Sequence, residues 1–253
     1  MKSRVMILDT PVDNMDMSET LDRVSQAISH DLHIHHSVVN AGKIVSMHKD
    51  PQLRESVVNA DIISADGQGV VWASRLLGKP LKGRVTGIDL MEELVSLAYR
   101  DHYKVYFLGA KEDIVRSVVE HYSDVYSPDI IAGYRNGYFK KAEEREIACD
   151  IADSGANILF VAISSPTKEN FLFQNREILK KVNFIMGVGG SFDVVSGLVK
   201  RAPKWMQKAG LEWLYRVYQE PQRMFKRYLV GNVKFILLVL KYKFKANYSS
   251  KYE

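Results

Sequence analysis

Phe184-Ile-Met-Gly-Val-Gly-Gly-Ser-Phe-Asp193 carries a short apolar run into a glycine-rich turn and on toward a second apolar stretch. Residues 184–188 are too few for a buried helix and fit a strand covered on both faces. A strand that turns through glycines into a helix is the joint of a βα unit. The same rhythm extends outward on the amino-terminal side. Short apolar runs at 34–39, 61–64, 104–108, 130–134 and 158–163 read as strands. Helical spacing falls at 18–28 (opening on Ser18 as a capping residue), 51–59, 68–77, 88–99, 111–122, 142–154 and 168–180. Strands alternating with helices of this length imply right-handed crossovers, so the fold class is α/β: a mainly parallel sheet with helices on both faces. Ligands of such sheets sit beyond the carboxyl ends of the strands. The polar punctuation gathers there, at Asn40, Asp66-Gly67, Gly109-Ala110, Ser164-Ser165-Pro166 and residues 187–191.

The 253 residues, 46% hydrophobic and 26% charged, suit one large α/β domain with an appendage and exclude a disordered chain. A single cysteine, Cys149, excludes an internal disulfide framework and fits a reducing compartment. It lies in a helical pattern beside Ala148 and Ile151, as a small buried hydrophobe would. Arg4, Asp9, Pro11 and Asp13 break up the first residues before a signal-peptide core can form, so a cytoplasmic location is expected.

The net charge of +5 is unevenly spread. From residue 200 on there are 13 Lys and Arg against 3 acidic residues, while residues 1–199 carry 22 against 27. A catalytic domain over 1–199 and a basic, aromatic helical appendage over 200–253 are therefore expected, the appendage facing something anionic. Pro221 disfavours helix at Glu220, which predicts two short helices meeting there. The apolar run 235–240 is far short of the roughly 20 residues that span a bilayer. With Lys241, Lys243 and Lys245 it reads as a shallow membrane contact, separable from the arginine-bearing part before it.

Several residues can carry chemistry. The turn Gly187-x-Gly189-Gly190 lets backbone N–H groups approach a phosphate, with Asp193 just inside the following helix, but it lacks the later glycine of a full dinucleotide fingerprint. A tight turn without a ligand is the other account. Asp66, at a strand's carboxyl end, is either a general base in a desolvated cleft or a helix cap; read alone, the cap is the better account. His33, His35 and His36 lack the Cys or carboxylate partners of a metal site. Arg216, Arg223 and Arg227, with Lys226, share a face of short helices among aromatic residues.

The stretch from Gly187 through Lys200-Arg-Ala-Pro-Lys-Trp-Met-Gln-Lys-Ala-Gly-Leu-Glu-Trp213 to Gln-Glu-Pro-Gln-Arg223 resembles the WecG/TagA/CpsF glycosyltransferases. Val39-Asn40-Ala41, Ala65-Asp66-Gly67-Gln-Gly-Val-Val-Trp72, Arg84-Val-Thr-Gly-Ile-Asp89 and Phe107-Leu-Gly-Ala110 match in the same order. The resemblance implies a Rossmann-like core and an inverting transferase that needs no metal or other cofactor. Such an enzyme moves a sugar from a UDP-sugar to a polyprenyl-diphosphate-linked sugar at the inner face of the bacterial membrane, in teichoic acid, common-antigen or exopolysaccharide assembly. It raises Asp66 from cap to base and places Asn40 and Arg84 in the cleft. Gly109, Lys168, Gly187, Gly189, Gly190 and Asp193 fall to UDP or its diphosphate, and Arg216, Arg223 and Arg227 become diphosphate clamps.

Two positions depart from the family pattern. Val38 stands where many members have Thr, and Lys168 stands for Gln in the Pro166-Thr167-Lys168-Glu169 stretch. An ammonium there can pair with a phosphate or a sugar carboxylate. The Ser-Ser-Pro-x-Lys-Glu form resembles the exopolysaccharide branch that includes xanthan-type glucosyltransferases. The donor stays open among a neutral hexose, N-acetylmannosamine and its uronic acid. The oligomeric state is equally open, a homo-oligomer included. Two other classes compete: an epimerase or dehydrogenase using the glycine turn for a cofactor pyrophosphate, and a nucleic-acid binder using the tail. The incomplete fingerprint counts against the first and the lack of a nucleic-acid module against the second, so nucleic acid is not an expected partner.

Overall fold

A computed structural model describes residues 4–249; the side chains of Arg223, Arg227 and residues 246–249 lie outside the description. The chain opens with a hairpin of β1 (Arg4–Ile7) and β2 (Thr10–Asp13), turned at Leu8 and Asp9, both with positive φ. No hairpin was expected there, because Leu-Asp is not the Asn-Gly or Asp-Gly signature of such turns. Arg4 and Asp13 pair at 3.0 Å, and Asp13 accepts the Ile63 N–H at 2.7 Å, which ties the hairpin to the sheet.

Next come α1 (Met17–Ser29), β3 (Ile34–Val39), α2 (Ala41–Met47), α3 (Pro51–Val58), β4 (Ile62–Ala65), α4 (Gln68–Leu76), α5 (Gly87–Arg100), β5 (Val105–Gly109) and α6 (Glu112–Val125). The cap of α1 is Asp16, in a reciprocal capping box with Glu19, not Ser18. The chain continues through β6 (Ile131–Arg135), α7 (Glu144–Asp153), β7 (Ile158–Ala162), α8 (Thr167–Gln174), α9 (Arg176–Leu179), β8 (Phe184–Gly187) and α10 (Ser191–Val195). The single helix read over 168–180 is interrupted at Asn175, which closes α8. α11 (Lys204–Lys208), α12 (Glu212–Gln219) and α13 (Pro221–Ser249) complete the chain.

Six strands form one all-parallel sheet in the order β4-β3-β8-β7-β5-β6. Successive side chains point to opposite faces, and both faces are buried. Phe107, Phe160, Phe184 and Met186 enter a core under α1, α5, α6 and α10, while Leu108, Leu159, Val161 and Ile185 enter another under α7, α8 and α9. A third core beneath α2, α3 and α4 takes Val39 and Ile63. The parallel α/β sheet read from the strand-helix rhythm, and the Rossmann-like core that the resemblance implies, are thus the observed arrangement. Cys149 is only partly covered, since Ala148 and Ile151 fill the core beside it.

The tail departs from expectation. Two helices do meet at Glu220, but the second is 29 residues long. Phe235 and Val239 are buried in the third core, so the segment after Lys234 is anchored to the body and is not a detached membrane contact. Ile236, Leu237, Leu240 and Phe244 stay exposed on the same helix. Among the described residues no helix is long and apolar enough to cross a membrane.

Candidate active site

Four neighbouring strands deliver the site at their carboxyl ends. Asn40 follows β3, Asp66 follows β4, the glycine turn follows β8, and Lys168 and Glu169 open α8 beyond β7. Asn40 caps α2, its Oδ1 accepting the Lys43 N–H at 3.0 Å. A Cβ on Gly67 would lie 3.2 Å from Asn40 Cβ, so the Asp66-Gly67 corner and Asn40 lie against each other. Asp66 does not cap α4, which has no side-chain cap; its Oδ1 accepts the Gly87 N–H at 2.9 Å. Burial pushes the Asp66 carboxyl above its ordinary range, against the Gly87 hydrogen bond and the positive charges of Lys43 and Arg84. A carboxylate in this setting is poised to take a proton.

Beneath it lies a buried charge cluster. Glu169 Oε1 accepts from Lys43 Nζ at 2.8 Å and pairs with Lys168 Nζ at 3.2 Å. Burial alone would raise the Glu169 carboxyl, but the two ammoniums outweigh it and hold it at about 2. Burial, reinforced by the Lys43 charge, lowers Lys168 to about 8. The Lys168 stem crosses Gly187 so closely that a Cβ there would be 2.3 Å from its Cε, which accounts for that glycine. The charges of Lys43 and Lys168 also act on Asp66 and favour its ionised form.

The turn continues with Gly189 at φ +57, a left-handed conformation that glycine adopts freely. Arg216 of α12 reaches over and donates to the Gly190 carbonyl at 3.1 Å. Arg84 pairs with Glu212 of α12 and donates to the Gln207 carbonyl at 2.8 Å. The appendage thus closes over the carboxyl edge of the sheet through Arg84 and Arg216.

The structure brings Asn40, Asp66, Arg84, Lys168, Gly187, Gly189, Gly190 and Arg216 to this edge. Asp193 lies one turn further on, in α10, its carbonyl accepting the Val199 N–H at 2.9 Å. Gly109 sits beyond β7 at the end of β5; its φ of +127 and the Ala162 backbone 2.5 Å from a would-be Cβ give it a packing role. The side chains of Arg223 and Arg227 lie outside the described residues. Sequence reasoning missed Lys43, Glu169, the Gly87 N–H and Glu212. Lys43 becomes legible only once α2 is recognised, because a helix starting after Asn40 turns it inward one turn later.

His33 Nδ1 lies 2.6 Å from the Val182 carbonyl, and His36 Nε2 lies 2.9 Å from Ser64 Oγ. Burial lowers His35 to about 4 and His36 to about 3. Among the described residues no group of three or more His, Cys, Asp or Glu side chains is arranged to hold a metal ion.

Residues 5–249 match the glycosyl transferase WecG/TagA/CpsF family. Two relatives carry the name N-acetylglucosaminyldiphosphoundecaprenol N-acetyl-beta-D-mannosaminyltransferase. One, from Bacillus spizizenii, is 37% identical over 194 residues, covering 77% of this chain and 74% of the relative. The other, from Bacillus subtilis, is 38% identical over 205 residues, covering 81% and 78%.

Proposed function

The chain belongs to the WecG/TagA/CpsF glycosyl transferase family, and from that premise we propose that it transfers a sugar from a UDP-sugar to a polyprenyl-diphosphate-linked sugar, with inversion and without a metal. The observation that carries the reading is Asp66. It is held by the Gly87 N–H at the mouth of a parallel sheet, its carboxyl raised by burial, with Lys43, Glu212 and Arg84 as its charged neighbours. An acceptor hydroxyl attacks the anomeric carbon in line with the departing UDP. Asp66 takes the hydroxyl proton as the new bond forms. Negative charge grows on the leaving diphosphate, and fixed cations with backbone N–H groups of the glycine turn lower the cost of that charge. Lys168 and Arg216 are the cations beside that turn, and Arg84 stands across the cleft from them. Asn40 orients the sugar beside Asp66, since its amide nitrogen is free of the capping bond its oxygen makes.

The product serves a bacterial surface polysaccharide, and the enzyme works as a peripheral protein on the inner face of the membrane. The exposed Ile236, Leu237 and Leu240 of α13, bracketed by Lys234 and Lys241, support membrane contact. The names of the two relatives make the N-acetylmannosamine donor the first to try, on a diphosphate-linked N-acetylglucosamine acceptor. The test is a panel of UDP-sugars incubated with a short-chain polyprenyl-diphosphate sugar, with and without EDTA. Transfer from one UDP-sugar that survives chelation is expected. No transfer from any of them rejects the donor class, and loss with EDTA that Mg²⁺ restores rejects the metal-free mechanism.

A further inference from the structure

Beside the Asp66 cleft, where α11 and the loop before it face the start of α5, lies a pocket of about 530 Å³ lined by Arg84, Asp89, Arg201, Lys204, Gln207 and Lys208. Its base is built from fixed guanidiniums. Arg84 is pinned by Glu212 and by the Gln207 carbonyl at 2.8 Å, and Arg201 by Asp89 at 2.5 Å. The Nε of Arg201 is buried without a hydrogen-bond partner, although Glu212 lies 4.0 Å away. A buried donor left unmatched is costly, and a bound anion beside it would remove that cost. Lys204 and Lys208 are exposed at the rim and have no carboxylate partner among the described residues. Four cations thus stand against the two carboxylates Asp89 and Glu212. That excess of two matches a diphosphate esterified at both ends, which carries two negative charges and offers oxygens to both guanidinium forks.

We propose that this pocket binds a diphosphate diester, at a position distinct from the glycine turn under Arg216. The inference rests on the transferase reading, in which both substrates carry a diphosphate and two anion sites are needed. It is also placed to serve that reaction. Val85, next to Arg84, donates to the Ala65 carbonyl at 2.9 Å, and Gly87, two residues before Asp89, donates to Asp66. A diphosphate held here leaves its attached sugar within the neighbourhood of the base. The nucleotide diphosphate of the donor and the lipid-linked diphosphate of the acceptor share the chemistry this pocket recognises.

The experiment is calorimetric titration of the full chain with UDP-N-acetylmannosamine and, separately, with a farnesyl-diphosphate-linked N-acetylglucosamine. Wild type is compared with the double variant Lys204→Ala/Lys208→Ala and with Arg201→Gln. The lysines are exposed, so their loss leaves the core untouched; Arg201→Gln probes the floor. The expected result is a weakening of one ligand by at least about tenfold in the lysine variant, with the other held within about twofold. Weaker acceptor binding assigns the pocket to the lipid-linked diphosphate, and weaker UDP-sugar binding assigns it to the nucleotide sugar. Unchanged affinities, parallel loss of both ligands, or a wild-type chain that binds neither overturns the proposal. If wild type turns over a UDP-sugar while the variants bind both ligands normally, the pocket fails and the transferase reading stands. If the selective loss appears but no UDP-sugar is turned over, the reverse holds.

Discussion

Asp66 must be ionised to accept a proton, yet its burial favours the neutral form. Because the folded chain keeps this proton to higher pH than the unfolded chain does, the stability contribution is intact below the ordinary carboxylate range. It is lost as pH rises through the raised value. Asp66→Asn should therefore leave the melting temperature at neutral pH equal to or above that of wild type, a difference that closes in acid. Turnover should fall at least about 10²-fold, as loss of a general base does. Thermal melts at two pH values and a rate assay check both; near-normal turnover removes Asp66 from its role. Lys168 gives a second expectation at this scale. Its ammonium, lowered to about 8, favours the ionised form of Asp66 and loses charge in the working range. Lys168→Gln should move the acid limb of the kcat/KM profile upward and remove a limb near pH 8. A profile identical to wild type would show that Lys168 acts through packing alone. Asp66 and Lys168 were both legible as sequence positions. What made them a unit was not: Lys43 and Glu169 are 126 residues apart and meet only because β3 and β7 both flank β8.

At the scale of elements, the strand-to-helix turn after β8 separates two reasons for glycine. Gly189 has open space around it but a φ of +57, so Gly189→Ala costs only backbone strain, about 1 kcal/mol. Gly187 has ordinary backbone but no room, because the buried Lys168 stem lies across it. Gly187→Ala must displace that stem and with it the pairing to Glu169, so it should cost about 1–3 kcal/mol in urea unfolding and lower turnover as well. Equal costs at the two positions would contradict this division. The strand-helix rhythm was readable because each strand is a short apolar run closed by a polar or glycine corner. The β1–β2 hairpin was not, since Pro11 and the charges at Arg4, Asp9 and Asp13 hide four-residue strands whose register depends on the partner. α2 was hidden for a related reason: its seven residues bury Ile44 and Met47 against α13, a contact nearly 200 residues away in sequence.

Across the whole molecule, α13 joins the parts that composition had divided. The charge step near residue 200 marks a change of surface, and surface charge does not reveal what a helix buries on its other side. Phe235 and Val239 lock α13 into the core over α2, while Ile236, Leu237, Leu240 and Phe244 face outward among Lys234, Lys241 and Lys245. One helix therefore serves two surfaces, and removing its end would damage both. Substitutions separate them. Ile236→Ser with Leu237→Ser should weaken binding to anionic liposomes, while unfolding free energy stays within about 0.5 kcal/mol and turnover of a soluble acceptor analogue is kept. The remaining lysines, worth roughly 1 kcal/mol each near an anionic surface, should leave residual binding that salt abolishes. Phe235→Ala should instead cost about 3–5 kcal/mol and lower membrane binding and turnover together, because the helix that carries the apolar face also holds the appendage over the site. Liposome sedimentation at two salt concentrations, paired with urea unfolding and a rate assay, reads all three properties. Unaltered sedimentation of the double serine variant would place the membrane contact elsewhere on the chain.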